Sequence, residues 1–295
     1  MSDRYGDILL NTLLYGGNLR CVVATTTHLV QEAVRRHQTD PVASIALGRS
    51  LGCSQVLASN LKTEVGIVSC EFDGDGPLQK VVSECNGAGE CRGYVGVPQV
   101  AAVLSEGEKV PQSVGAALGM RGHLTISQVD RKGAGPYTGI CELASGEIAA
   151  DVAYYLSRSV QTPSAVAAGV KLDKDGEVLG AGAVLVQKMG GGHITEEQLR
   201  DIERKLYQDL RLSERIVSGD SVDEIFEYLT GIEPSTIFLT KRPIKFHCGC
   251  ERDRMKRYLK QLGQEELQTI YDEVGKIEVR CQYCGDEHRF ALEEF

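Results

Sequence analysis

Four cysteines near the C-terminus are grouped in two close pairs. The first pair is Cys248-Gly249-Cys250, and the second is Cys281-Gln282-Tyr283-Cys284, with thirty residues between them. Two short pairs of thiolates, each on a tight turn, are what a tetrahedral structural zinc site requires. The sequence therefore predicts that Cys248, Cys250, Cys281 and Cys284, the four-cysteine cluster, bind one Zn²⁺ per chain.

Other uses of these cysteines fit the pattern less well. A thioredoxin-like redox site needs its Cys-x-x-Cys after a strand and before a helix, whereas the residues after Cys284 are strand-like. Four inert buried cysteines would not be expected to pair at both ends of one small unit. His247 and His288 lie nearby and could replace a ligand, but four cysteines already complete the site.

The cluster also predicts a response to oxidation. A unit of ~50 residues buries little core, and structural zinc contributes roughly 10–16 kcal/mol to such units at neutral pH. Neighbouring thiols meet fastest, so we expect oxidation to release zinc and to form disulfides Cys248–Cys250 and Cys281–Cys284. These close small loops and constrain the unfolded chain little. The alternative is a constitutive zinc module that only completes the fold.

The composition is that of a soluble globular protein. The chain has 295 residues, 42% hydrophobic and 25% charged, and no apolar run of 18 residues. The acidic N-terminus lacks the features of a signal or transit peptide, so we expect a reducing, cytoplasmic location and no membrane partner. The net charge of −9 disfavours a sequence-independent nucleic-acid binder. Ten cysteines in such a compartment are not expected to form a disulfide scaffold.

Residues 1–192 are predicted to form an N-terminal mixed α/β domain. A strand at 20–25 precedes a helix, and Asp40-Pro41 starts a second helix rich in Ala, Ser and Gly, which we expect to be central. Strands near 64–72, 78–86 and 91–97 predict an antiparallel meander. A helix near 147–158, opened by Ser145, follows, and Asp173–Gly176 predicts a hairpin turn. The Met189–Gly192 stretch is expected to act as a hinge.

Residues 193–240, the linker, carry 5 basic and 11 acidic side chains. Capping boxes at Thr195/Gln198 and at Ser221/Glu224 predict two helices. The helices are short, and isolated helices of this length are marginal in water. The linker therefore needs a surface to dock against.

Residues 241–295 are predicted to form the C-terminal zinc domain, with two helices and two short strands between and after the cysteine pairs. The fold class expected for the whole chain is thus α+β: a mixed domain with an antiparallel sheet, a helical linker and a small four-cysteine zinc domain. The basic run Arg252–Arg257 is expected to be a solvated face or a partner for acidic residues, rather than a nucleic-acid site.

The motifs together resemble the heat shock protein 33 family of redox-regulated holdase chaperones, along nearly the whole chain. The residues that carry the resemblance are Arg35-Arg36-His37, Pro41, Ala46-Leu47-Gly48-Arg49, Gly74-Asp75-Gly76-Pro77, Arg92-Gly93-Tyr94-Val95, Ser145-Gly146-Glu147-Ile148-Ala149, Asp151, Ala153, Tyr154, Tyr155, Gln161, Pro163, Ser164, Gly169-Val170 and Phe246-x-Cys248-x-Cys250 with the Cys281/Cys284 pair. The chain departs from the family pattern at Val160 and at Gly191-Gly192.

The resemblance implies a function. The reduced, zinc-bound form is expected to be inactive, and oxidation by peroxide or hypochlorous acid is expected to form the two disulfides and to unfold the linker. The active form would hold unfolding client proteins without ATP, as a homodimer, and would not be an enzyme. The sequence contains no Gly-x-x-x-x-Gly-Lys-Ser/Thr phosphate loop.

Three further hypotheses stay open from the sequence. A constitutive zinc-ribbon adaptor that binds nucleic acid or ribosomes is the main alternative, and a thiol oxidoreductase is another. The six upstream cysteines are expected to be mostly buried apolar residues. Cys85 and Cys91 flank a predicted turn and could form an additional redox pair.

Overall fold

Thirteen strands and nine α-helices are present in the part of the chain that the computed structural model describes, which is residues 6–105, 109–130, 137–190 and 192–295. The chain divides into two compact units, Met1–Phe246 and His247–Phe295. The elements of the first unit, in chain order, are β1 (Ile8–Leu14), β2 (Leu19–Thr25), α1 (Thr27–His37), α2 (Pro41–Ala58), β3 (Ile67–Gly74), β4 (Lys80–Asn86), β5 (Glu90–Val95), α3 (Val114–Leu118), β6 (Gly122–Val129), β7 (Tyr137–Glu142), α4 (Ala149–Arg158), β8 (Ser164–Leu172), β9 (Val178–Lys188), α5 (Glu196–Arg204), α6 (Leu212–Val217), α7 (Val222–Thr230), β10 (Leu239–Pro243) and β11 (Lys245–Phe246).

The strands of the first unit form two sheets. One has five antiparallel strands in the order β10-β1-β2-β9-β8, and the other has six in the order β11-β5-β4-β3-β6-β7. In the second sheet only the β11–β5 pair is parallel. The predicted meander is confirmed as β3, β4 and β5, and the predicted hairpin is β8–β9, with Gly176 at φ +86° in its turn.

Helix α2 contacts strands of both sheets and most of its residues are buried, as expected for a central helix. Asp40 Oδ1 accepts a hydrogen bond from Ala43 N, and Pro41 occupies the first turn, so the predicted start is confirmed. A Cβ on Gly48 would lie 2.7 Å from Val170 Cγ2 and 2.8 Å from Val30 Cγ1. The small residues of α2 therefore let three elements approach closely in the main core.

The linker packs on the face of the five-stranded sheet that points away from α2 and the main core. It forms α5, a π-helical turn at Lys205–Asp209, α6 and α7, and the predicted capping boxes at Thr195 and Ser221 are both present. The third helix, α6, was not predicted. It arises because Arg211 adopts a left-handed conformation (φ 43°), which ends one helix and starts the next.

A short segment, Leu239–Phe246, joins the edges of both sheets, and we call it the strap. Its first part is β10, which pairs with β1, and its second part is β11, which pairs with β5. Between them Ile244 is buried in the main core, and Ile244 N donates to Asp7 O. The strap therefore closes one edge of each sheet.

The second unit consists of α8 (Arg252–Lys260), α9 (Gln264–Val274), β12 (Ile277–Arg280) and β13 (Glu287–Phe290), with the two strands paired antiparallel. This order of two helices and two strands is the predicted one. The fully buried apolar core is only Leu267, Ile277 and Phe290, with partly buried side chains around it. Such a core is small for an independent fold.

Helix α4 begins later than predicted and by a different device. It starts at Ala149, and Ser145 is not its cap. Instead, Asp151 Oδ1 accepts hydrogen bonds from Ala144 N and Ser145 N, both at 2.8 Å, so a carboxylate inside the first turn holds the preceding loop. The predicted hinge includes Gly191, which lies outside the described residues.

The expected α+β class is confirmed by these elements. The three functional parts with boundaries after residues 192 and 240 stay a prediction, since compactness divides the chain only after Phe246. Within the described residues, no helix is long and apolar enough to cross a membrane.

Candidate metal centre

The second unit brings the two cysteine pairs together. Cys248 and Cys250 lie just before α8, while Cys281 and Cys284 lie in the turn between β12 and β13. Cys281 N donates to Asp286 O at 2.9 Å, and Gly285 N donates to Cys281 O at 2.8 Å. Gly285 has φ +75°, a left-handed conformation that glycine adopts without strain and that lets the chain turn directly after Cys284. The β-hairpin thus fixes one cysteine pair, and the start of α8 fixes the other.

The four sulfur atoms form one tight group. Cys248 Sγ lies 3.7 Å from Cys281 Sγ, and Cys250 Sγ lies 3.1 Å from Cys284 Sγ. All four lie within 4.8 Å of one another. A tetrahedral Zn²⁺ with Zn–S bonds of 2.3 Å would place its ligands about 3.8 Å apart. The spacing of the sulfurs therefore fits a tetrahedral ion with small adjustments.

Main-chain N–H groups point at two of these sulfurs. Those of Cys284 and Tyr283 face the Cys281 thiol, and that of Asp286 faces the Cys284 thiol. Burial would raise the pKa of Cys281, but these N–H groups and the neighbouring thiols outweigh burial and hold its pKa below the ordinary value. The turn therefore favours a thiolate at Cys281, as a metal ligand requires.

Two other thiols in the group resist ionisation. Burial raises the pKa of Cys250 to about 11 and the pKa of Cys284 well above its ordinary value. Negative charges this close repel each other, so all four sulfurs can become thiolates only around a cation. A divalent ion with a preference for sulfur supplies that charge, and Zn²⁺ suits a Cys₄ set. The donor set therefore fits the predicted metal.

Other residues considered for this site are not part of it. Among the described residues, the group close enough to share an ion contains the four cysteines and neither His247 nor His288. Gly249 does not adopt a positive φ, and a Cβ there would meet only Arg254 Nη1, at 3.4 Å. The Cys-x-Cys turn therefore forms without the special conformation of glycine.

Part of the basic run is paired within the second unit. The Arg252 guanidinium donates to both carboxylate oxygens of Glu294 at 2.7 Å and also to Arg289 O, and Lys256 Nζ lies 3.5 Å from Glu294. The same arginine lies over the Phe290 ring. These cations therefore hold the C-terminus of the unit, which is a structural use of the run.

A second candidate feature is the sheet face beneath the linker. Side chains of β1, β2, β8 and β9 and of the linker helices bury one another there in an apolar layer: Leu10, Leu14, Leu19, Cys21, Val23, Ala165, Val184, Val186, Ile202, Leu206, Leu210, Leu212, Val222, Ile225, Phe226 and Leu229. We call this set the linker layer. The opposite face of the same sheet contributes to the main core. The surface that the linker needed is thus the outer face of the five-stranded sheet.

This face was not predicted from the sequence. One signal could have revealed it: Cys21-Val22-Val23-Ala24 is a continuous apolar run, and a strand without alternation is buried on both faces. Cys21 and Val23 face the linker, while Val22 and Ala24 belong to the main core. Burial in the linker layer raises the pKa of Cys21 to about 12.

The fold places the chain in the class of 33 kDa chaperones. The solved structure of the 33 kDa chaperonin, a heat shock protein 33 homolog, from Thermotoga maritima is similar to it with a TM-score of 0.86 and 29% sequence identity. The match covers 98% of this chain and 96% of that one.

The sequence comparisons define the family. The 33 kDa chaperonin of Desulforamulus reducens is 39% identical over 285 residues, covering 96% of this chain and 94% of the relative. That of Bacillus subtilis is 37% identical, covering 98% and 96%. The sequence model of the Hsp33 protein family matches residues 7–291, and the chain belongs to this family. It is therefore a chaperone, as the resemblance implied.

Proposed function

We propose that this chaperone is a redox-regulated, ATP-independent holdase whose activity is controlled by the four-cysteine cluster. The observation that carries the proposal is the convergence of two cysteine pairs, separated by thirty residues, into one group of sulfurs within 4.8 Å. Bound Zn²⁺, one per chain, would hold the four thiolates together and so link the two ends of the second unit. In this form the protein is inactive.

Oxidation acts on the sulfurs themselves. A hydroperoxide or hypochlorous acid takes two electrons from each pair, which joins Cys248 to Cys250 and Cys281 to Cys284 as disulfides. A disulfide sulfur carries no thiolate charge, so the site can no longer hold the metal. The two new bonds close loops of a few residues, which restrict the unfolded chain little. The second unit, with three fully buried apolar side chains, then unfolds.

The strap connects this event to the linker. Phe246, the last residue of β11, lies two positions before Cys248, so the strap continues directly into the cluster. When the second unit unfolds, the strap becomes the last folded segment of the chain. The ends of a folded chain are poorly ordered unless other contacts hold them, so we expect the strap to fray. Lys241 in β10 also forms an ion pair with Asp223 in α7. Loss of the strap therefore removes a contact that holds the linker helices on the sheet.

Release of the linker uncovers the sheet half of the linker layer. Leu10, Leu14, Cys21, Val23 and Val184 would then form part of a contiguous apolar face. Large exposed apolar patches bind other apolar surfaces, and unfolding client proteins supply them. The many charges of the linker keep the released segment soluble.

The remaining parts of the proposal follow from the family and the sequence. The active form is a homodimer, and the protein is not an enzyme. It binds neither nucleic acid nor membranes, and it acts in the cytoplasm, where the cysteines stay reduced until oxidants rise. The net charge of −9 supports the absence of nucleic-acid binding.

One digest tests the disulfides directly. Trypsin cuts after Lys245, Arg252, Arg280 and Arg289, so residues 246–252 contain Cys248 and Cys250, and residues 281–289 contain Cys281 and Cys284. Each expected disulfide therefore lies within one peptide, which loses two hydrogens and escapes alkylation. A bridge between the pairs would instead link the two peptides and would contradict the proposed disulfides.

Activity and metal content are measured on the same sample. Oxidation is expected to release one Zn²⁺ per chain and to suppress aggregation of a thermally unfolding client, without ATP. The matched variants are Cys281→Ser, in the cluster, and Cys141→Ser, outside it. Equal client protection by the reduced, zinc-loaded protein would refute regulation by this site.

A further inference from the structure

Cys85 and Cys91 face each other directly across the β4–β5 hairpin. Both thiols are buried and point toward α2, where Cys91 Sγ lies 2.9 Å from Gln55 Oε1 and Cys85 Sγ lies 3.8 Å from Leu51 O. They lie in the first unit and are separate from the four-cysteine cluster. The mechanism proposed above does not use them.

The hydrogen-bond pattern of the hairpin decides how close the two cysteines are. Gly96 N donates to Lys80 O at 2.9 Å, which makes the Lys80/Gly96 position a hydrogen-bonded pair. Such pairs alternate with non-hydrogen-bonded ones along an antiparallel ladder. Cys85/Cys91 lies an odd number of positions further along the same register, so it is a non-hydrogen-bonded pair. In these pairs the Cα atoms are about 4.5 Å apart, within the range that a disulfide spans.

Gln55 gives this pair a polar neighbour in either redox state. Its side chain is fully buried in α2, and its Nε2 has no hydrogen-bond partner within the described chain. The amide oxygen accepts from the Cys91 thiol, and rotation of the amide would instead direct an N–H at a disulfide sulfur. When the two thiols are oxidised, Gln55 can therefore still form a hydrogen bond with the pair, which avoids the cost of a buried polar group without a partner.

The strap covers this hairpin. Lys245 N donates to Gly89 O at 3.0 Å, the Arg242 guanidinium donates to Gly87 O, and Phe246 is the register partner of Cys91. Arg242 Nε and Nη2 are buried there without a hydrogen-bond partner. Burial raises the pKa of Cys85 well above its ordinary value although the Arg242 guanidinium acts in the opposite direction, so this thiol stays protonated and unreactive while the strap is closed.

We propose that Cys85 and Cys91 are a second redox pair, which a hydroperoxide or hypochlorous acid converts to a cross-strand disulfide once the strap has opened. With hydrogen peroxide, the first thiolate attacks a peroxide oxygen, becomes a sulfenic acid and releases hydroxide. The second thiolate attacks that sulfur, forms the S–S bond and expels a second hydroxide. The two thiol protons convert both hydroxides to water, so one peroxide is reduced by two electrons for each bond formed.

The peptide pattern makes the pair directly measurable. Trypsin cuts after Lys80 and Arg92, so residues 81–92 carry both cysteines in one peptide. After oxidation of the full-length protein we expect this peptide to lose two hydrogens and to escape alkylation. Cleavage after Glu84 and Glu90 should leave two fragments joined through sulfur. Cys53 and Cys70 are equally buried in the same core and should keep their free thiols. If their thiols were oxidised as fast as those of Cys85 and Cys91, the core would be unfolding as a whole, and the proposal would be overturned.

A matched pair of variants tests the role of the strap. Ile244→Ala and Leu143→Ala each remove a buried aliphatic side chain from the same core, but only Ile244 lies in the strap. We expect the disulfide in residues 81–92 to form several-fold faster in the Ile244 variant. Equal rates in the two variants, or no disulfide in the wild-type protein at full oxidation of the cluster, would overturn the inference.

The same digest separates this inference from the proposed function. The peptides 246–252 and 281–289 report on the cluster, and 81–92 reports on the hairpin. A disulfide in 81–92 without disulfides in the cluster would refute the proposed switch and support the second redox pair. Disulfides in the cluster without one in 81–92 would support the switch and refute the second redox pair. Cys85→Ser and Cys91→Ser should each abolish the two-hydrogen loss in 81–92.

Discussion

Arg49 Nη1 lies 2.6 Å from Glu147 Oε2, and this ion pair joins α2 to the loop before α4. The other carboxylate oxygen of Glu147 accepts a hydrogen bond from Gly115 N at 3.0 Å. Two sequence blocks that carried the family resemblance, Ala46–Arg49 and Ser145–Ala149, thus meet through their charged residues. Both blocks serve the stability of the first unit rather than the metal centre.

This ion pair predicts a dependence of stability on pH. Burial would raise the pKa of Glu147, but the Gly115 N–H and the Arg49 guanidinium outweigh burial and hold its pKa below the ordinary value of 4.5. A carboxyl group with a lowered pKa in the folded state stabilises the fold fully above the unfolded-state pKa, and this stabilisation is lost as pH falls through the folded-state pKa.

Glu147→Gln should therefore lower the free energy of unfolding at pH 7 by about 1 kcal/mol, and the difference from wild type should shrink below pH 4. Urea unfolding at both pH values measures this, with the exposed Glu64→Gln as control. A difference that stayed constant down to pH 3 would contradict the assignment.

Removal of one cluster sulfur should unfold the second unit. Cys250 is the less exposed cysteine of its pair, so Cys250→Ser removes the more deeply buried of these two candidate ligands. We expect the bound Zn²⁺ to be lost and residues 247–295 to lose amide-exchange protection, because structural zinc contributes roughly 10–16 kcal/mol to such units. Cys141→Ser should retain the metal. A compact second unit in the metal-free, reduced protein would contradict the proposal that the metal holds this unit folded.

Cys21 should report release of the linker. Burial in the linker layer raises its pKa from 9 to about 12. If the linker leaves the sheet, the pKa should return toward 9, and the thiolate fraction at pH 8 should rise about a thousand-fold. Alkylation of the tryptic peptide 21–35 after oxidation and removal of the oxidant measures this rate. Cys53, in the main core, should remain unreactive, and a slow Cys21 in the active protein would mean that the linker stays docked.

Phe226 should control the resting state of the linker. It is the largest fully buried side chain of the linker layer, and truncation of such a residue costs about 3–5 kcal/mol. Phe226→Ala should therefore release the linker without oxidation and should protect an unfolding client while the zinc remains bound.

Phe72→Ala is the control for this prediction, because it removes an equally buried ring from the main core. It should lower overall stability without activating the reduced protein. Activation by both variants, or by neither, would show that the linker is not the cover of the client-binding face.

Local features of the fold were predictable because they depend on neighbouring residues. The Asp40 cap, the capping boxes at Thr195 and Ser221, and the Asp173–Gly176 turn are present as predicted. Helix α6 was missed, since the left-handed Arg211 gives no sequence signal. The start of α4 was wrong, because the hydrogen bonds that hold its loop come from Asp151, inside the helix.

By itself the sequence identified the four candidate metal ligands, because residue type and spacing within each cysteine pair already indicate which donors can share an ion. Only the tertiary structure decided what the linker covers and which cysteines face each other. Those relationships depend on contacts between residues far apart in the chain, such as Phe226 against the outer face of β2, or on the pairing register of two strands, as for Cys85 and Cys91. A pattern along one strand or helix specifies which side is apolar, but not which partner buries it.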